Sequence, residues 1–259
     1  MYKKSFAINF KFVLVFVLIG VLSSCASRKD VVYFQNAKSF ETLVSDNTSI
    51  NRFKVDDAIS INVSTLDPQS SVPFNLIKGY EEGGMRPEQL DYIIDKNGEI
   101  DFPVLGAVKI AGLSPNEAKM LLAAKLKDYL KDPIINIRLK NFTVTILGEV
   151  NRPGTYAVNG EQITILEALG LASDLTIKGM RTNVMVIRDF NGTKVYERID
   201  LTKKESLNSP VYYLTQNDVV YVEPNNSAKA SYSLDNRASI AISIASILIT
   251  STIVLLTRL

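Results

Sequence analysis

The chain has no histidine, no tryptophan and a single cysteine among its 259 residues. Histidine ionises near neutral pH and is the commonest metal ligand, so its absence removes the usual general base and the usual transition-metal site. One cysteine excludes an intrachain disulfide, and stability must rest on packing. A glycine-rich phosphate loop is also missing: Gly83-Gly84 has neither a preceding strand nor a following Lys-Ser/Thr. Two acidic pairs remain, Asp91 with Asp95 and Glu81 with Glu82, both in polar, turn-rich stretches where carboxylates are ordinarily solvated. The reading is therefore of a protein that is not an enzyme, with no catalytic residue, no metal and no cofactor.

Charge of one sign is not in excess either, the formal net charge being +2. Lys3, Lys4 and Lys11 lead into an apolar run over residues 12–22, followed by Ser23, Ser24 and Cys25. A basic start, a short apolar run and small residues before a cut make a secretory signal over residues 1–24. With cysteine first after the cut, the segment resembles a bacterial lipoprotein signal. That resemblance implies a diacylglycerol on the Cys25 thiol and a third acyl chain on its freed amine. Each buried CH2 contributes about 0.8 kcal/mol, and two or more chains anchor stably. Removal of residues 1–24 takes three lysines and no acid, leaving 26 basic against 27 acidic residues, so no basic face for nucleic acid is expected.

The far C-terminus lacks charge altogether between Arg237 and Arg258. A helix over residues 238–257 would span about 30 Å, the thickness of a bilayer core, and is expected to be transmembrane. Ten of its twenty residues are Ile, Leu or Val and seven are Ser or Thr. Ser239, Ser243, Ser246, Thr250 and Thr257 fall at helical spacing on one stripe. Two readings of the stripe stand side by side. The hydroxyls could bond back to their own helix and ease packing against neighbouring helices, or they could line a pore among several copies.

Between these ends the chain reads as α+β, two small β-rich units over residues 51–140 and 141–224. An anchor segment (25–50) precedes them and a polar linker (225–237) follows. In the first unit, Ile59, Ile61 and Val63 alternate as a strand, and Asn97-Gly98 predicts a type I′ hairpin turn. Ser114-Pro115-Asn116-Glu117 predicts a capped helix, and Ile135, Ile137 and Leu139 alternate as another strand. In the second unit, Pro153-Gly154 suits a type II turn, Thr164 with Glu167 forms a second capping box, and Asn191-Gly192 marks a hairpin. Strands around one short helix suggest a β-grasp arrangement. Tyr212, Tyr213 and Tyr221 flank the last strands and read as half-buried packing, so no ligand-binding residue is assigned.

These residues carry a family resemblance. Asp57 with Ile59 and Ile61, Asp95 with Gly98, Ile100 and Pro103, then Gly106 and Ala111-Gly112-Leu113, resemble the periplasmic domain of the bacterial polysaccharide export (Wza-like) outer-membrane lipoprotein family. Leu147-Gly148-Glu149-Val150, Pro153-Gly154-Thr155-Tyr156 and Asn217-Asp218-Val219-Val220-Tyr221-Val222 resemble the soluble-ligand-binding β-grasp (SLBB) domain that follows it. The family's usual Gly-Asp before the first strand is Asp56-Asp57 here. The resemblance implies an outer-membrane component of a capsular or exopolysaccharide exporter, with its two domains in the periplasm. It further implies a ring-shaped homo-oligomer that conducts a polysaccharide substrate and meets an inner-membrane polysaccharide copolymerase. A non-pore scaffold lipoprotein that binds polysaccharide or protein is the alternative.

Overall fold

A computed structural model describes residues 31–43, 50–78, 88–190, 192–233 and 236–258. The proposed signal and Cys25 lie outside the described residues, as do Glu81 and Glu82.

The first unit runs through β1 (Ala58–Ser64), α1 (Pro68–Ser71), β2 (Ile77–Lys78), β3 (Glu88–Gln89), β4 (Tyr92–Ile93), β5 (Glu99–Phe102), β6 (Gly106–Lys109), α2 (Pro115–Leu126) and β7 (Ile134–Leu139). β1 lies between β4 and β7, antiparallel to both, with Ile61 opposite Ile137. Period-two alternation puts Ile59, Ile61, Val63, Ile135 and Ile137 on one face, where Ala118, Leu122 and Leu126 of α2 cover them. The helix starts where its cap dictates. Ser114 Oγ accepts from Glu117 N at 3.2 Å and the Glu117 carboxylate accepts from Ser114 N at 2.7 Å.

Two local expectations change. Asn97-Gly98 does turn the chain, but only Gly98 has a positive φ (+79°), so the turn is not type I′. The Asp95 carboxylate accepts from both Asn97 N (2.9 Å) and Glu99 N (2.8 Å), and β4 pairs with β1 rather than β5. A side-chain acceptor and a non-local strand thus outcompete the two-residue hairpin. Asp56, where the resemblance would place a glycine, adopts φ +67°, a left-handed conformation that glycine takes without strain. Next to it Asp57 is 2% exposed and accepts from Lys54 N at 2.8 Å; burial raises its carboxyl above the usual range.

The second unit holds β8 (Thr143–Gly148), β9 (Gly154–Ala157), β10 (Ile163–Thr164), α3 (Ile165–Leu171), β11 (Gly179–Phe190), β12 (Thr193–Ile199), β13 (Tyr213–Leu214) and β14 (Val219–Pro224). Five strands form one mixed sheet in the order β12-β11-β14-β8-β9, with β14 parallel to β8 and the other pairs antiparallel. α3, again opened by a complete capping box at Thr164 and Glu167, packs Ile165, Ala168 and Leu169 into the sheet's core. Gly154 opens β9 opposite Ile146 and has no positive φ, so the expected type II turn is not formed. At the end of β8, Gly148 is left-handed (φ +89°).

Two further segments depart from their expected character. Residues 31–36 form a strap on the second unit: Phe34 N donates to Leu201 O (3.2 Å), Gln35 N to Thr202 O (2.7 Å), and Asn36 Nδ2 to Glu205 (2.8 Å). Tyr33 donates to Asp174 Oδ1, and the buried Arg181 guanidinium lies 5.3 Å from its ring centroid. Burial, and then this acceptor, push the Tyr33 hydroxyl well above its ordinary range. The expected polar linker contains α4 (Asn226–Ser233), because Asn225 Oδ1 caps it by accepting from Ala228 N at 2.9 Å.

The expectation of a membrane span is corrected. Residues of the C-terminal stretch form α5 (Asn236–Arg258), yet among the described residues no helix is long and apolar enough to cross a membrane. Hydroxyl residues interrupt the stretch, so that no run without one exceeds four residues. The described chain is β-rich with mixed sheets, and the expected transmembrane helix is not supported among the described residues. On α5, Ser246 Oγ donates to Ser243 O at 2.8 Å and Thr250 Oγ1 donates to Ser246 O. Ser239 and Thr257 fall within the helix, their side chains lying outside what is described.

Candidate functional site between the two units

The two units meet at a cleft of about 310 Å³. The first unit contributes the segment Asn51-Arg52-Phe53, Pro115 at the start of α2, and Ile137, Arg138 and Leu139 of β7. The second contributes Asn159, Gly160 and Glu161, from the loop between β9 and β10, and Gln216.

Each wall is fixed by local chemistry. Phe53 exchanges backbone bonds with the turn before α2, donating to Leu113 O (2.9 Å) and accepting from Gly112 N (2.8 Å). Arg52 Nη1 donates to Gly112 O at 2.7 Å and to Glu117 Oε2 at 2.8 Å. Ser114, through its N–H and hydroxyl, and more weakly Arg52, hold the Glu117 carboxyl below its usual range. One glutamate thus serves both the helix cap and the cleft arginine.

The junction is pinned by amides. Gln216 is 4% exposed; its Oε1 accepts from Thr143 N (2.7 Å) and its Nε2 donates to Asn141 O (2.6 Å). Asn141 in turn accepts from Ala58 N (3.0 Å) and donates to Asp56 O (3.1 Å). Lys54 Nζ reaches across to the carbonyls of Asp189 and Gln216, both at 3.3 Å, and Asn51 Nδ2 donates to Glu161 O at 2.6 Å. These bonds satisfy the polar groups of the junction, the buried Gln216 amide among them, and so hold the cleft in shape.

None of the described residues singled out from the sequence as site candidates lies in this cleft. Ser243, Ser246 and Thr250 are on α5, and the rings of Tyr212 and Tyr213 meet edge-on at 5.4 Å beside the second core. The Asp95 carboxylate, half of a weighed acidic pair, is occupied by its own turn. Among the described residues no group of three or more His, Cys, Asp and Glu could hold a metal ion. The cleft was hidden because its walls are distant in sequence; Asn51 and Glu161 are 110 residues apart.

The architecture has counterparts among known proteins. Residues 45–140 match the family model described as polysaccharide biosynthesis/export protein, and residues 143–222 match the SLBB domain. Together these stretches cover more than half the chain. The chain carries a polysaccharide biosynthesis/export domain followed by an SLBB domain. It is similar to the EPS I polysaccharide export outer membrane protein EpsA of Ralstonia solanacearum. The two are 25% identical over 147 residues, covering 55% of this chain and 38% of the relative. The protein of the same name from Ralstonia nicotianae is 25% identical over 150 residues, covering 56% of this chain and 39% of that one. The chain thus matches less than two-fifths of the length of these relatives. The boundary between the two family models, at residues 140–143, falls on the pinned junction around Asn141.

Proposed function

We propose that the protein is the outer-membrane component of a capsular or exopolysaccharide exporter. The observation that carries this is the ordered pair of an export domain and an SLBB domain, over units that each close their own hydrophobic core. The names of the similar Ralstonia proteins support the same role and the outer-membrane location. In this reading the chain is not an enzyme. It acts passively, as a homo-oligomeric ring around a polysaccharide that an inner-membrane copolymerase delivers. The units at 51–140 and 141–224 are its periplasmic domains, and the hydroxyl stripe from Ser239 to Thr257 is where neighbouring copies of α5 would pack. Deleting the gene should remove surface polysaccharide, as read by lectin or dye binding, and supplying the chain in trans should restore it. Unchanged surface polymer in the deletion strain would contradict the proposal.

Cys25 is proposed as the lipid attachment site, close ahead of the strap that ties residues 31–36 to the second unit. The intact mass of the purified protein should exceed that of the cut polypeptide by its acyl chains. Cys25→Ala should lose that excess and leave the uncut signal in place. An intact mass equal to that of the bare polypeptide would remove the anchor.

A further inference from the structure

The cleft between the units has a feature that packing does not explain. Of its two guanidinium groups, Arg52 is paired with Glu117 at 2.8 Å, whereas among the described residues no acid lies within ion-pair reach of Arg138. Arg138 is exposed on β7, between buried Ile137 and half-buried Leu139, and lines the cleft together with the apolar Phe53 and Pro115. Opposite lies the loop carrying Asn159, Gly160 and Glu161 from the other unit.

We propose that this cleft binds a carboxylate-bearing sugar residue, with Arg138 as the partner of the carboxylate; this rests on the polysaccharide reading above. A pyranose ring offers an apolar C–H face and an edge of hydroxyls, and the cleft offers apolar side chains together with amide and carboxylate groups. Asn51 already spends its amide N–H on Glu161 O, which leaves its side-chain oxygen to accept. Glu161 and Asn159 are exposed at the mouth, suited to accept from ring hydroxyls. A guanidinium matches a carboxylate in paired, charge-assisted hydrogen bonds of about twice the strength of neutral ones. With Glu161 on the opposite wall, a ligand orients with its anionic end toward β7. The volume is at the small end for ligand sites, which likewise favour unit boundaries. Because Asn51, Lys54, Asn141 and Gln216 already cross-link the walls, little ordering is needed on binding.

The test uses the full mature protein in detergent, titrated calorimetrically with tetragalacturonate and, as a neutral match, maltotetraose. Wild type should bind tetragalacturonate more tightly than maltotetraose. Arg138→Gln should weaken tetragalacturonate binding by at least about tenfold, the loss of one charge-assisted interaction, and leave maltotetraose unchanged. Arg138→Lys should recover part of the loss. Arg138 is exposed, so both variants should keep the wild-type unfolding midpoint. Absence of tetragalacturonate binding to wild type, or equal binding by wild type and Arg138→Gln, overturns the site. Either result is separable from a failure of the export reading, which the deletion strain reports independently.

Discussion

Asp218→Ala is expected to destabilise the protein by about 3–5 kcal/mol, the range for removing one partner of a buried ion pair. Asp218 is fully buried and takes a forked contact from Arg188, with Nε at 3.1 Å from both carboxylate oxygens and Nη2 at 2.7 Å from Oδ2. The same carboxylate accepts from Thr215 N (2.7 Å) and Thr215 Oγ1 (3.0 Å), closing the turn into β14. Truncation therefore strands a guanidinium that keeps only the Tyr213 carbonyl at 2.9 Å, and it frees a backbone N–H. The double variant Arg188→Met, Asp218→Ala should lose less than the two single changes added together, since no charge is left buried alone. Urea unfolding of the four proteins gives the coupling directly. A single Asp218→Ala variant within about 1 kcal/mol of wild type would show that the pair is not a main support of this unit.

Gly148→Ala should be nearly as damaging, at about 3 kcal/mol or more, through a different mechanism. Gly148 ends β8 beside Val222 of β14, with φ +89°, and a Cβ there would lie 2.1 Å from the Val222 carbonyl oxygen. The obstacle is backbone in a parallel strand pair, so no side-chain rotation relieves it. The left-handed conformation itself costs a residue with a side chain about 1–2 kcal/mol. Gly170→Ala is the matched control: it lies inside α3, a Cβ there meets nothing within 4 Å, and alanine should be neutral or stabilising by up to about 1 kcal/mol. Equal unfolding midpoints for Gly148→Ala and wild type would contradict the account of this strand crossing.

These two positions show what the sequence disclosed and what it withheld. Gly148 and Asp218 both stand in the stretches through which the family resemblance is visible, yet their physical work depends on partners far along the chain, Val222 for one and Arg188 for the other. Where the determinants are local, reading was direct: both capping boxes form with both reciprocal bonds, and Ile59, Ile61 and Val63 alternate into the core. Where a local preference met a competing group, the reading failed. Asn97-Gly98 lost its type I′ geometry to the Asp95 carboxylate, and Gly154 was drawn into the sheet opposite Ile146. The segment 225–237 looked like a linker because it is polar, although Asn225 with Ala228 two positions into its helix is a cap signal that could have been used. The strap around Tyr33 and the cleft at Arg138 leave no periodic trace, since each joins elements more than a hundred residues apart. In the C-terminal stretch uncharged length suggested a span, whereas among the described residues no helix is long and apolar enough to cross a membrane.

The family model's description covers both biosynthesis and export, and the role proposed for this chain is export. A pulse of labelled sugar followed by a chase, with cell-internal and external polymer separated at each time, divides the two. With the chain depleted, labelled polymer should still form at the wild-type initial rate and remain inside the cell envelope, reaching the exterior only when the chain is resupplied. Labelled polymer appearing outside at the wild-type rate, or failing to form at all, would contradict a role in export.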